Sequence, residues 1–286
     1  MMELLMQPFS YNYMVKAIWV SAIVGAACAF LSAYLMLKGW SLMGDALSHS
    51  VVPGVAGAYA LGLPYAAGAF FTGMLAALAM TLVRHITRLR EDAIIGFIFS
   101  TFFAVGLLIV SLNPTSVNVQ SIIFGNILGI ADKDVQQVEI IIGISLLILC
   151  LLWKDLLAVF FDENHAVSIG LSLLRLKILF FTLLSACTVA ALQTVGAILV
   201  IAMVITPGAT AYLLTDRFSR LVLLAITIGA LTSGIGAYLS FFLDGATGGV
   251  IVTLQTLVFL VAFFFAPKHG LLASKRRMAR EYPGGH

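Results

Sequence analysis

Two ionisable side chains, Asp45 and His49, lie in the otherwise apolar stretch GDALSHSVVPG at residues 44–54. If this stretch is helical, their i, i+4 spacing places both side chains on one face, with Cβ atoms about 6 Å apart. A carboxylate and an imidazole so placed could hold a divalent cation, relay protons or hydrogen-bond to each other. One aspartate and one histidine suit manganese, iron or zinc, although two ligands are too few for a tight structural zinc site.

The proline of the same stretch bears on the backbone around this pair. Pro53 has no N–H to donate to the carbonyl of His49, so a helix running through Pro53 should be kinked there, with that carbonyl free. Kinked or broken helices with freed carbonyls recur where transporters bind ions. Small residues should let other backbones approach closely: Gly44, Ala46, Gly54, Ala56 and Gly57. In a simpler alternative, Asp45 is a helix N-cap and His49 an interhelical hydrogen-bonding residue.

The chain that must position these residues is strongly apolar. It has 286 residues, of which 61% are hydrophobic and 10% charged, and its mean hydropathy is +1.08. A soluble domain would hold about a quarter charged residues. Apolar runs recur along the whole chain, each long enough to cross the ~30 Å hydrocarbon core as a helix. We therefore predict an all-α polytopic membrane protein with a single transmembrane domain over residues 1–286.

The apolar runs predict nine spans, and the lysines and arginines orient them. With the N-terminus outside and the C-terminus in the cytoplasm, fourteen of the 16 basic residues lie inside and only Lys16 and Lys133 outside, as the positive-inside rule requires. Treating 178–214 as one crossing would move Arg217, Arg220 and the basic tail outside, which argues against eight spans. The predicted spans are 17–37, 41–63, 65–83, 93–111, 135–153, 178–195, 196–214, 221–243 and 248–266.

Three further segments have predicted roles. The outer connection 112–134 contains an apolar segment, 121–130, which could lie across the mouth as a helix. The inner connection 154–177 is amphipathic. The basic tail 267–286 should contact anionic lipid headgroups rather than nucleic acid.

The cysteines Cys28, Cys150 and Cys187 lie in apolar runs and are predicted to be packed side chains without disulfides or zinc.

The motifs of several enzyme classes are missing from the sequence. It contains no GxxxxGK[ST] phosphate loop, no HExxH and no GxSxG, so neither ATP hydrolysis at a Walker site nor intramembrane hydrolysis is expected of this chain. We predict that it is not an enzyme.

Several stretches together resemble the permease subunits of bacterial metal-ion ABC importers, the family of zinc and manganese/iron uptake systems. They are GDALSHSVVPGVAGAYALG at 44–62, SIIFGNILGI at 121–130, FDENHAVSIG at 161–170, VGAILVIAMVITPGATAYLLT at 195–215 and GATGGVIV at 245–252. Within that family the sequence is most similar to the permeases of enterobacterial manganese/chelated-iron importers.

The resemblance implies a type II importer fold in the bacterial inner membrane, working as one part of a larger complex. The implied partners are a second permease subunit, identical or paralogous, two cytoplasmic ATPase subunits and a periplasmic metal-binding protein. Asp45 and His49 would line the metal path. No permanently bound cofactor is implied, since manganese, iron or zinc is the transported ion. The alternative function is a proton-coupled secondary metal transporter in which Asp45 and His49 relay protons.

The resemblance also implies that the loop after the fifth span, about Asp162 to Leu173, couples the permease to its ATPase. Ala166 and Gly170 have the spacing of the importer coupling motif, and Asn164 stands where that motif commonly has glutamate. The coupling residues predicted from the family are Asp162, Glu163, His165, Ala166 and Gly170.

Overall fold

Every regular element in the described part of the chain is helical. The computed structural model describes residues 6–112, 127–129, 131–266 and 270–271. Two short 3-10 helices, Gln7–Ser10 and Ile127–Gly129, accompany eleven α-helices within these ranges. The α-helices are α1 (Asn12–Lys38), α2 (Ser41–Ser50), α3 (Val52–Ala60), α4 (Tyr65–Ile86), α5 (Glu91–Leu112), α6 (Asp132–Phe161), α7 (Glu163–Ser168), α8 (Leu173–Val195), α9 (Ala197–Leu214), α10 (Phe218–Leu243) and α11 (Thr247–Phe265).

Most of these helices could cross a membrane. Among the described residues, seven are long and apolar enough to do so: α1, α4, α5, α6, α8, α10 and α11. A shorter apolar helix covers Val200–Leu214 within α9. The predicted all-helical, multi-pass membrane protein is thus confirmed, while the count of nine crossings and the orientation stay predictions.

The predicted second span, 41–63, is not one helix, and this prediction is corrected. Helix α2 ends at Ser50, and α3 begins at Val52 with Pro53 in its first turn. The N–H groups of a first helical turn have no acceptor within the helix, so a proline there removes no hydrogen bond and is compatible with the start of a new helix. The N–H of Val51 is directed at the carbonyl of His49, so this carbonyl is not left free as a kink would leave it.

The fifth span is longer than predicted. The sequence prediction ended it at residue 153, before the charged Lys154, but α6 continues to Phe161. The extension is stabilised because Leu156, Val159 and Phe160 are buried and continue the packed face of the helix.

Helix α8 also begins earlier than predicted, at Leu173 instead of residue 178. The connection predicted at 154–177 therefore shrinks to residues 162–172, which contain α7. Of the other predicted segments, 121–130 lies outside the described residues except for Ile127–Gly129, and the tail 267–286 lies outside them except for residues 270–271.

The helices fall into two compact units, Leu37–Ile201 and Met1–Met36 with Ala202–His286. In the second of these units, a serine of α1 bonds to the backbone of α9 on both sides of Pro207. Ser32 Oγ donates to the carbonyl of Ile205 at 3.0 Å and accepts the N–H of Gly208 at 3.0 Å. Side-chain hydroxyls on neighbouring helices are the usual partners for backbone groups displaced by a proline in a membrane helix. The segment TPGATA therefore has a packing role within this unit.

In the unit Leu37–Ile201, helices α3 and α4 approach to backbone contact. A Cβ atom on Gly54 would lie 2.0 Å from the carbonyl oxygen of Gly68, and one on Gly68 would lie 2.2 Å from the carbonyl oxygen of Gly54. The expectation of close approach at small residues is met at Gly54. It is not met at Gly57, where a Cβ atom would have no neighbour within 4 Å.

We expect Gly54→Ala to destabilise the protein by roughly 1–3 kcal/mol, because a methyl group there forces the two backbones apart. Gly57→Ala, in the same short helix but facing open space, is the matched control and should leave stability unchanged or slightly raised. Thermal unfolding of both variants in detergent measures the difference. Equal unfolding midpoints would show that α3 and α4 are not packed as closely as described.

The packing predicted for the three cysteines is found at two of them, and the prediction is wrong for Cys150. Cys28 and Cys187 are buried, in keeping with packed small side chains, whereas Cys150 is exposed.

Candidate functional site

Asp45 and His49 lie on one face of α2, as their spacing predicts. His49 Nε2 is 3.4 Å from Asp45 Oδ1, and the side chains are 25% and 39% exposed, respectively. The alternative in which Asp45 caps the helix is wrong, because the N-cap of α2 is Trp40 and Asp45 lies in the helix interior. The carboxylate and the imidazole are thus close enough to act on one ion or proton, and neither is sealed in the core.

Two phenylalanines of α5 hold the imidazole from the side. The ring of His49 lies 5.3 Å from the Phe99 ring and 5.6 Å from the Phe103 ring, with interplanar angles of 63° and 78°. Phe99 and Phe103 stack on each other at 6.0 Å. Edge contacts of this kind restrict how the imidazole can turn. Phe99 and Phe103 therefore cover one side of the His49 imidazole.

The hydroxyl groups of α2 are engaged within their own helix. Ser48 Oγ donates to the carbonyl of Gly44 at 2.8 Å, and Ser50 Oγ donates to the carbonyl of Ala46 at 2.6 Å. Among the residues described, no three His, Cys, Asp or Glu side chains gather as a metal cluster. Within the described part of the chain, the dyad therefore offers an ion at most two side-chain ligands of these types.

The loop between α6 and α8 contains the second group of predicted residues, and α7 is defined at both ends. Asp162 Oδ1 accepts the N–H groups of Asn164 at 2.9 Å and His165 at 3.1 Å, which is a helix N-cap. At the other end, Gly170 has φ +83°. The N–H of Gly170 donates to the carbonyl of Val167 at 3.0 Å.

The C-terminal end of α7 is a Schellman motif, since the N–H of Leu171 also donates to the carbonyl of Ala166 at 3.0 Å. Ala166 is fully buried. His165 is exposed, and so are Val167 and Ile169, at 56% and 55%. Helix α7 is therefore capped at both ends, with one buried residue and an exposed, partly apolar surface.

Glu163, the first residue of α7, pairs with two lysines. Its Oε1 lies 3.2 Å from Lys38 Nζ, and its Oε2 lies 2.9 Å from Lys177 Nζ. Partial burial opposes ionisation of this carboxyl, but hydrogen bonds to the two lysines and their charges outweigh it and hold the pKa of Glu163 below its usual value. The carboxylate is therefore ionised at neutral pH and bound at both oxygens.

The sequence pointed to Asp45, His49 and the predicted coupling residues but not to the side chains that contact them. Lys38 and Lys177 entered only as charges that orient the spans. The pair Phe99 and Phe103 is visible in FIFSTFF at 97–103 as aromatic residues at i, i+4, but nothing in the sequence relates that pair to His49.

The chain belongs to the ABC 3 transport family. The model of that family matches residues 10–266. The resemblance stated from the sequence is thereby confirmed. Family membership makes this chain a transport permease rather than an enzyme, as predicted.

Relatives of this chain are similar over almost their whole lengths. The chelated iron transport system membrane protein YfeC of Yersinia pestis is 87% identical over 288 residues, covering 100% of this chain and 98% of the relative. The manganese transport system membrane protein MntB of Synechocystis is 49% identical, covering 96% of this chain and 89% of the relative. Among solved structures, PsaBC from Streptococcus pneumoniae in complex with a Fab matches with a TM-score of 0.85 and 34% identity, covering 96% of this chain and 100% of the matched chain.

Proposed function

We propose that this chain is the permease subunit of an ATP-driven importer for divalent transition-metal ions, manganese and iron, and that Asp45 and His49 line the ion path. The observation that carries this proposal is the pairing of a carboxylate and an imidazole, 3.4 Å apart and partly exposed, on α2. The choice of ions is supported by the similar proteins that are named for chelated iron transport and manganese transport.

The chemistry of the pair suits passage of such ions rather than their storage. Manganese and iron accept carboxylate oxygen and imidazole nitrogen together, and a site with two protein ligands leaves the remaining positions to water. An ion held this way can also leave, which conduction requires. Phe99 and Phe103 flank the imidazole and restrict how it can turn.

The proposed arrangement in the membrane has nine crossings, the N-terminus outside and the C-terminus in the cytoplasm of the bacterial cell. The distribution of lysine and arginine supports this orientation. It places α7 in the cytoplasm, where an ATPase could dock on its exposed surface, and the connection 112–134 outside, where a periplasmic metal-binding protein could dock. A second permease subunit and two ATPase subunits complete the proposed importer, in which ATP-driven opening and closing moves the ion past the dyad.

Uptake of radiolabelled manganese and iron by cells with the permease, its ATPase and its binding protein tests the proposal. We expect uptake that stops when ATP is depleted and persists when an uncoupler removes the proton gradient. Uptake that follows the proton gradient while ATP is depleted would instead support the secondary transporter. Competition by zinc in the same assay measures whether the path also admits zinc, which shares these ligands.

A further inference from the structure

We propose that Glu163 is a positioning residue that connects the ATPase-facing helix α7 to the helix of the metal dyad, through Lys38 and the corner that Lys38 begins. This inference rests on the proposed function, because it concerns how movement at α7 reaches Asp45 and His49. It assigns Glu163 an intramolecular role, in place of the direct contact with the ATPase that its position in the coupling loop suggests.

The geometry of Glu163 favours a link within the permease. Both of its carboxylate oxygens are occupied, one by Lys38 at 3.2 Å and the other by Lys177 at 2.9 Å. The three side chains are only 16% to 32% exposed. A carboxylate held at both oxygens in a half-buried setting is fixed in position. Little of it is left to meet a second protein.

Lys38 stands at the corner from which the dyad helix begins. It is the last residue of α1, Gly39 follows with φ +71°, and Trp40 is the N-cap of α2. Asp45 lies one helical turn after the first residue of α2. A displacement of Lys38 is therefore transmitted to the dyad through a single tight turn and one turn of helix.

A second contact joins the same corner to the chain just before α7. Trp40, which is 5% exposed, packs on Phe160 with ring centroids 5.5 Å apart and on Phe181 at 5.9 Å. Phe160 lies two residues before the N-cap Asp162. The guanidinium of Arg84 lies over the Trp40 ring at 5.0 Å, a cation–π contact. The turn Lys38–Trp40 thus contacts the chain on both sides of the start of α7. Lys38 pairs with Glu163 after the N-cap, and Trp40 packs on Phe160 before it.

The two connections together form a contiguous network of the kind through which packed proteins couple distant movements. If the ATPase moves α7 during its cycle, the movement reaches the first turn of α2 through two contacts. They are the Glu163–Lys38 ion pair and the packing of Phe160 on Trp40. Lys177 holds the other oxygen of Glu163 to α8.

The test compares Glu163→Gln, Lys38→Met and the double variant in the complete importer with its ATPase and binding protein. We expect Glu163→Gln to retain the bound ATPase and its basal hydrolysis within about twofold, and to lose about tenfold or more of metal uptake and of the ATPase stimulation by metal-loaded binding protein. The double variant should be no worse than either single variant, since the two residues act as a unit. Lys38→Arg should retain uptake because it keeps the charge.

Hydrogen exchange of the amides of residues 41–50 gives a readout that does not depend on transport. ATP should change this exchange in the wild-type complex and much less in Glu163→Gln and Lys38→Met. Lys154→Met, which removes an exposed lysine of α6 that lies outside the link, is the matched control and should behave as wild type.

Three results would overturn the link. Loss of bound ATPase in proportion to uptake in Glu163→Gln would make Glu163 a docking contact. Normal coupling in Lys38→Met would remove Lys38 from the path. Unchanged exchange of residues 41–50 on ATP addition to the wild-type complex would deny that α2 responds at all. A wild-type importer that moves neither manganese nor iron would refute the proposed function instead, while the exchange measurement would still test the link.

Discussion

Replacing Asp45 with asparagine or His49 with glutamine should lower manganese and iron uptake by at least about tenfold while the importer still assembles. Removing a residue that only hydrogen-bonds to a metal ligand already costs about 10–100-fold in metal affinity or activity, and removing a ligand itself should cost at least as much. Each replacement keeps the size of the side chain and the helix. Asparagine removes the negative charge that attracts the cation, and glutamine removes the imidazole nitrogen that lies 3.4 Å from Asp45 Oδ1. Radiolabelled metal uptake, normalised to the amount of purified complex, measures the effect.

Ser48→Ala is the matched control for these two variants. Ser48 lies between the dyad residues in sequence, and its hydroxyl donates within α2 to the carbonyl of Gly44, so its loss should leave uptake close to wild type. If Asp45 acts as a ligand, raising the external metal concentration should restore part of the uptake of Asp45→Asn. Wild-type uptake by both dyad variants would remove Asp45 and His49 from the path.

Replacing Gly170 with valine should uncouple or release the ATPase, because the backbone of this residue is left-handed, with φ +83°. Space is not the obstacle, since a Cβ atom there would have no neighbour within 4 Å. A β-branched residue in this conformation is strained by about 1–3 kcal/mol, which is relieved if the turn after α7 opens and the Schellman motif is lost. Uptake and metal-stimulated ATP hydrolysis should both fall.

A series of substitutions at Gly170 separates backbone strain from loss of a contact. Asparagine tolerates the left-handed region better than alanine, and alanine better than valine, so activity should fall in the order Asn, Ala, Val. Gly143→Ala, in α6 where a Cβ atom also meets open space, provides a control without strain. An intact and fully active complex with valine at residue 170 would exclude the turn from coupling.

The capped form of α7 could be predicted in outline from local sequence. Asp162 precedes the helix and Gly170 follows it, and both roles depend on backbone groups only a few residues away. The pairing of Asp45 with His49 was predictable for the same reason, since the i, i+4 geometry of a helix is local. The membrane class followed from hydropathy and helix length alone, because an apolar run of about 20 residues is long enough to cross the hydrocarbon core of a bilayer as a helix.

The break at Val51 shows where local reasoning was incomplete. Pro53 indicated a disturbance, but a proline is compatible with a kink inside a helix and with the first turn of a new one. In the structure a new helix begins at Val52, and the close approach of Gly54 to Gly68 packs this short helix against α4.

The sequence alone therefore determined the membrane class and the pairing of Asp45 with His49, which depend on composition and local spacing, and its motifs carried the family resemblance, from which the coupling segment is predicted. Only the tertiary structure paired His49 with Phe99 and Phe103 and Glu163 with Lys38 and Lys177. The physical reason is the solvent. Lipid is as apolar as the side chains that pack between helices, so a membrane helix does not reveal by hydropathy which face meets a neighbour. The partners of each helix are decided by shape and by a few polar contacts between residues far apart in the chain.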